Sequence, residues 1–250
     1  MPEKYVVRNI EDSLISEGAM VGTRAIRVVF GGCNYWDGTP EGRQKGLGAC
    51  SKWCDEDFGS SCSKGMTADE IASKVESLLE DKPNQWVLLT GGEPLMFVDE
   101  ALVDTLADYG FKIYLETNCS IPAEDRTVLK RIDYISARPK LEYDKKTGKL
   151  QVPMLGVVTA NELVIALPGS IDGKGWSDEQ LHEIEMDGDW DDLYVVPMDP
   201  TDKRTVLVTH LRGGYERPEE LDAAVKRCLE WVREHPKWKI GVQLNKVLNL

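Results

Sequence analysis

The sequence predicts an α/β fold: a parallel sheet, open or closed into a barrel, carrying a long cysteine loop and a hairpin insertion. Three observations lead there. Short apolar runs alternate with stretches of helical period along most of the chain, the pattern of a parallel sheet. The run at 86–90 (WVLLT) is apolar throughout, as in a strand covered on both faces. The length, 250 residues, fits one barrel-sized domain spanning 1–250.

The elements follow in order. Residues 25–30 (AIRVVF) read as a strand ending at Gly31-Gly32. The segment 33–66 has no clear period and holds six glycines and four of the six cysteines. A loop that long inside a compact domain is functional or disordered, and the cysteine density favours function. Thr67-Ala-Asp-Glu70 is a capping box, so a helix should run to about Glu80 with Ile71, Val75, Leu78 and Leu79 on its apolar side;. The strand WVLLT ends at Gly91-Gly92-Glu93-Pro94. A helix over 98–109, a strand over 111–116, a helix over 123–131 and a strand over 134–137 continue the alternation. Residues 141–152 differ: LEY and LQV flank DKKTGK, a hairpin signature;. Strands are expected at 162–166 and 193–196, with Ser177-Asp-Glu-Gln180 capping a short helix between them. The longest helical pattern covers 217–235 and a last strand covers 238–243.

Charge limits the partners. The chain has 30 Lys+Arg against 43 Asp+Glu, a net −13, which argues against a nucleic-acid phosphate backbone. Nine acids and one lysine fall in 170–192, read as a solvated acidic insertion. No apolar run approaches the roughly 20 residues of a membrane span, and the opening MPEKYVVRNIEDS lacks the apolar core of a secretory signal;. The expected location is the cytoplasm. There the six cysteines, at 33, 50, 54, 62, 119 and 228, point to metal binding or catalysis rather than disulfides.

Parallel folds place their sites at the C-terminal ends of the strands. The cysteine loop, Gly91–Pro94 and Glu116-Thr117-Asn118 all follow predicted strands, so they converge there. Sixteen residues separate Cys33 from Cys50, and three separate Cys50 from Cys54. Thiolates suit zinc and iron–sulfur clusters. Three from one loop fall short of a closed four-ligand zinc site and suit a [4Fe–4S] cluster with one open iron. From the cysteines alone, iron–sulfur, zinc and unrelated thiols all stay open. Cys62 is a rival third ligand, Trp53 a shield for one side of a cluster, and Cys228 a core thiol. In GGEP the glycines let backbone approach a ligand closely, and Glu93 offers a carboxylate to an ammonium group. An ordinary turn is the plainer reading of those four residues.

Together these residues resemble the radical S-adenosylmethionine enzymes, and within them the 7-carboxy-7-deazaguanine synthase (QueE) family of the queuosine pathway, from about Ile10 to Leu250; the resemblance implies an incomplete parallel (β/α) barrel of the radical S-adenosylmethionine type. Ser13–Gly18 with Gly22-Thr23 resembles the family's opening S-hydrophobic-QGEG…GT. Gly32–Trp36 is similar to GCNLW, and Cys54–Phe58 to CDTDF. Gly91–Pro94 matches GGEP, Glu116–Asn118 matches ETNG, and Ser136–Lys140 (SARPK) is similar to SPK. Asn161–Leu163, Pro197–Asp199 and Gln243–Lys246 resemble DEL, QPMDG and QTHK. Nine such segments in order are specific. The departures are the widened cysteine spacing, Glu56 for a Mg²⁺-binding threonine, Val29 for an arginine that Arg27 could replace, Ile15 for a glutamine and Asn245 for a histidine.

The resemblance implies conversion of 6-carboxy-5,6,7,8-tetrahydropterin to 7-carboxy-7-deazaguanine with loss of ammonia. Its cofactors would be a [4Fe–4S] cluster, S-adenosyl-L-methionine and Mg²⁺, and a 5′-deoxyadenosyl radical would start the reaction. It implies cluster ligands Cys33, Cys50 and Cys54, with Glu56 on Mg²⁺. Gly91, Gly92, Glu93, Thr117, Asn118, Ser136, Lys140 and Met198 would lie along the cofactor. Glu17, Arg27, Glu162, Gln243 and Asn245 would contact the substrate, and Glu116 and Lys140 would be catalytic. The implied partners are a reducing flavodoxin or ferredoxin and a second copy in a homodimer, with no membrane or direct nucleic-acid contact. Two rivals share fewer features: a glycyl-radical activase has the cysteines and GGEP but not the flanking segments, and a zinc-binding interaction module would use the cysteines alone.

Overall fold

A computed structural model describes residues 4–52, 54, 63–79, 85–122, 127–168, 175–198, 219–244 and 246. Its main feature is one nine-stranded sheet. In chain order the strands are β1 (Tyr5–Leu14), β2 (Arg24–Phe30), β3 (Lys64–Met66), β4 (Trp86–Gly91), β5 (Lys112–Thr117), β6 (Tyr134–Ala137), β9 (Thr159–Leu167), β10 (Asp189–Pro197) and β11 (Trp238–Ile240). Their spatial order is β11-β10-β9-β6-β5-β4-β2-β1-β3. From β2 to β11 every neighbouring pair is parallel, while β1 pairs antiparallel with β2 and β3. No pairing joins β3 to β11, so the barrel is incomplete. β7 (Glu142–Tyr143) and β8 (Leu150–Gln151) form the expected hairpin.

The helices are α1 (Pro40–Lys45), α2 (Ala68–Leu79), α3 (Glu100–Asp108), α4 (Asp178–Met186) and α5 (Glu219–Glu234). The capping signals hold. Thr67 and Glu70 exchange side-chain and backbone hydrogen bonds of 2.8 and 3.2 Å ahead of α2, and Ser177 and Gln180 do the same at α4. Helix α3 starts two residues later than its apolar pattern, because the Asp99 side chain caps it by accepting from Leu102 N. The described part of the helix expected over 123–131 is a single 3₁₀ turn, Leu129–Arg131. Residues 178–186 of the acidic stretch form α4, whose Leu181 and Ile184 are buried. Strand β1 is an element the sequence reading did not anticipate.

Strand alternation gives the sheet two unlike faces. Ile26, Val28 and Phe30 of β2, Val87 and Leu89 of β4, Ile113 and Leu115 of β5, and Leu163 and Ile165 of β9 all enter one core with the helices. The intervening residues turn the other way. There Ala25, Leu88 and Tyr114 pack with Ile15 in a small second cluster, and the polar residues beyond them line a cavity.

Candidate active site

The cavity has a volume of about 420 Å³. Register brings its walls together. Val29 lies beside Thr90 and Phe30 beside Gly91, so the start of the cysteine loop runs next to the turn after β4. Gly92 N donates to Phe30 O (3.3 Å) and Glu93 N to Gly32 O (2.8 Å). A Cβ at Gly92 would sit 1.9 Å from Gly32 O, so only glycine permits this approach.

Three contacts fix the cysteine loop. Arg43 of α1 stacks over Trp36 (4.5 Å) and donates to the carbonyls of Ser51 (3.0 Å) and Cys54 (3.1 Å). The hairpin strand pairs with the segment before Cys50, Ala49 N donating to Leu141 O (2.8 Å) and Tyr143 N to Leu47 O (2.9 Å). Asn118 Nδ2 donates to Asn34 Oδ1 (3.0 Å), linking the loop to the end of β5. The hairpin is thus a brace for the cysteines.

Cys33, Cys50 and Cys54 all line the cavity, clustered with Tyr35 and Trp36. Burial pushes the Cys50 thiol up to about 12 against the opposing charge of Lys140. Burial also raises Cys33, opposed by the Tyr35 backbone N–H. Thiols so placed become thiolates when a metal centre supplies the positive charge. Among the described residues no three His, Cys, Asp or Glu side chains converge as ligands of one ion would. Three cavity-lining thiols with close-approach glycines beside them are donors of the kind that would hold an iron–sulfur cluster;.

Gly91, Gly92, Thr117, Asn118 and Lys140 line the same cavity, as do Glu17, Arg27, Glu116 and Gln243. Four predicted residues do not, each for a visible reason. The Glu93 carboxylate is fully buried and accepts from Thr117 Oγ1 (2.7 Å), Asn118 N (2.7 Å) and Leu95 N (3.0 Å). Burial raises it to about 7 against those hydrogen bonds. Its side chain is spent on Thr117, Asn118 and Leu95 and does not line the cavity. Ser136 is buried and accepts from Arg138 Nε (3.2 Å). Glu162 is buried where Tyr114 OH (2.7 Å), Tyr134 OH (3.1 Å) and Ala19 N (2.7 Å) donate to it. Gly18 covers that carboxylate at φ +77°, and a Cβ there would lie 2.2 Å from Glu162 Oε1. Met198 continues the sheet, its N–H donating to Leu167 O (2.9 Å). Glu56 and Asn245, with Trp53 and Cys62, lie outside the described residues.

Two cavity residues escaped the sequence reading. Thr90, next to last in β4, donates to Glu116 Oε2 (2.6 Å). Arg138, in the quoted SARPK segment, forms ion pairs with both Glu17 and Glu116. Burial works to lower this guanidinium, and Glu116 and Glu17 overcome it, holding it above its ordinary value. The visible signal was a cation directly after a buried strand. Arg27, the expected substitute for the missing family arginine, lines the cavity and pairs with Glu11 (3.2 Å).

Known proteins bear the resemblance out. The chain is 31% identical to the 7-carboxy-7-deazaguanine synthase of Burkholderia multivorans, over 98% of this chain and 99% of that protein. It belongs to the 7-carboxy-7-deazaguanine synthase family. Like its relatives it is an enzyme of the radical S-adenosylmethionine kind, built around a [4Fe–4S] cluster. The family's protein from Caulobacter vibrioides is 30% identical over the same shares of the two chains. The crystal structure of QueE from Escherichia coli superposes with a TM-score of 0.65 at 18% identity, covering 96% of this chain and 94% of that one, so the fold is shared. No family model matches the chain. Where the family motif ETNG has glycine, this chain has Cys119 at φ +64°.

Proposed function

We propose that the cavity contracts 6-carboxy-5,6,7,8-tetrahydropterin to 7-carboxy-7-deazaguanine with release of ammonia. One observation carries this reading: the three cysteines, Gly91-Gly92 and Glu116–Asn118 line a single cavity at the C-terminal ends of β2, β4 and β5. Cys33, Cys50 and Cys54 would hold the cluster. Bound there, the cluster and S-adenosyl-L-methionine supply one-electron cleavage of a sulfonium bond and a carbon-centred radical. Gly91, Gly92, Thr117 and Asn118 orient the methionine end through backbone and side-chain polar groups, with Glu93 fixing Thr117 and Asn118 from behind. Glu17, Glu116 and Gln243 accept from and donate to the pterin edges. Lys140 and Arg27 bring positive charge for the substrate carboxylate, and Mg²⁺ with Glu56 would add to it.

A flavodoxin or ferredoxin is the proposed electron donor, the proposed assembly is a homodimer of single-domain chains, and the proposed location is the cytoplasm. Among the described residues no helix is long and apolar enough to cross a membrane. The test is anaerobic reconstitution with iron and sulfide, followed by dithionite, S-adenosyl-L-methionine and the carboxy-tetrahydropterin. The expected outcome is broad visible absorbance, then methionine, 5′-deoxyadenosine turnover and the deazaguanine product. A chain that takes up no cluster, or that cleaves the cofactor and yields no deazaguanine, overturns the proposal.

A further inference from the structure

Arg138 follows β6 directly, and its N–H donates to Thr117 O (2.8 Å), extending the ladder with β5. The side chain is 14% exposed and spans two elements distant in sequence. Nε donates to Ser136 Oγ, Nη1 pairs with Glu17 on the loop after β1, and Nη2 lies 3.0 Å from Glu116 Oε1 on β5. That last contact is an ion pair off the line of a hydrogen bond, since Nη2 has no hydrogen-bond partner among the described residues. Each carboxylate also takes one neutral donor: Gln243 Nε2 to Glu17 Oε1 (2.8 Å) and Thr90 Oγ1 to Glu116 Oε2 (2.6 Å). A carboxylate offers about four acceptor positions, so both keep capacity toward the cavity they line. Without the guanidinium, two like charges would share one wall and repel. In SARPK, Arg138 falls in the part that has no counterpart in the family's SPK.

We propose that Arg138 is a positioning residue: its fork holds Glu17 and Glu116 at a fixed separation, as paired acceptors for the N–H groups of the tetrahydropterin. The substrate presents N–H donors at N3, N5, N8 and its 2-amino group, so a rigid acceptor pair sets the ring's angle to the radical. A planar fork can hold two carboxylates at once, which a lysine ammonium on a flexible stem does not. This inference rests on the pterin occupying the cavity.

The test uses cluster-reconstituted enzyme with S-adenosyl-L-methionine and no reductant, so the pterin binds without turning over. In Arg138→Met the pterin Kd should rise about 10- to 100-fold, the range for losing charge-assisted hydrogen bonding, while the Kd of S-adenosyl-L-methionine stays put. Arg138→Lys should recover thermal stability but not pterin affinity. With reductant, both variants should release more 5′-deoxyadenosine than deazaguanine. Equal weakening of pterin and cofactor, or unchanged pterin affinity, overturns the proposal. Where Arg138→Met assembles no cluster, Arg138→Lys decides it: wild-type pterin affinity there overturns it too. A wild-type enzyme that binds no pterin removes the reading of the cavity and this inference together, whereas pterin binding indifferent to both substitutions removes only the inference.

Discussion

Leu89 and Thr90 are neighbours in β4, as Leu115 and Glu116 are in β5, and the members of each pair do opposite work. Leu89 and Leu115 are fully buried against the helices. Thr90 and Glu116 are hydrogen-bonded to each other in the cavity wall. One face of the sheet is dry and contributes stability through burial; the other presents polar and charged groups to the cavity. The difference teaches that in this sheet chemistry and stability are separated by a single residue step, so substitutions one position apart should have unrelated consequences.

The sharpest break comes from the cavity side. Cys50→Ser should abolish cluster absorbance after reconstitution and product formation with it, while the thermal melt of the apoprotein moves little. On the helix side, Leu89→Ala should cost about 2–5 kcal/mol of stability in urea unfolding, with the pterin KM of the folded enzyme unchanged. Glu93 belongs to neither face. Its folded-state pKa of about 7 lies above the ordinary 4.5, so the folded chain holds a proton that the unfolded chain gives up. Its contribution therefore declines as pH rises from about 4.5 to about 7;. Wild type should weaken relative to Glu93→Gln by up to about 3 kcal/mol over that window, read from urea midpoints at its two ends.

Thr90→Val, nearly isosteric, should raise the pterin KM about tenfold, the worth of roughly one hydrogen bond to a charged group, and leave the urea midpoint nearly unchanged. The smallest effect is expected at Cys119. Glycine there relieves a left-handed backbone, worth about 1 kcal/mol, and gives up a buried thiol. Cys119→Gly should shift stability by under about 1 kcal/mol, measured in urea.

Much of this was legible because it is local. The capping boxes at Thr67 and Ser177, the hairpin around DKKTGK and the glycines after β4 each declare themselves within four to ten residues. Strand β1 was not, since only its Tyr5 and Val7 are deeply buried and the run shows no sustained alternation. Glu162 and Arg138 were illegible for another reason. Glu162 is a charged residue within β9 and Arg138 one directly after β6, and the role of each depends on residues far off in the chain: Tyr114, Tyr134 and Ala19 for one, Glu17 and Glu116 for the other. Glu93 was read as a ligand-facing carboxylate, but the turn that makes Gly92 useful also points Glu93 at the end of β5.

One feature bears on how the molecule comes into being. Gln243 donates to Glu17 across 226 positions of sequence, and Leu244 N donates to Ser16 O (2.8 Å) beside it. The wall that carries Glu17 is therefore finished by residues made 226 positions after it. Contacts of such separation form late, because their loop-closure entropy is met only after shorter-range structure exists. During synthesis the sheet can gather strand by strand, while this wall stays incomplete until the chain has been made at least to Leu244.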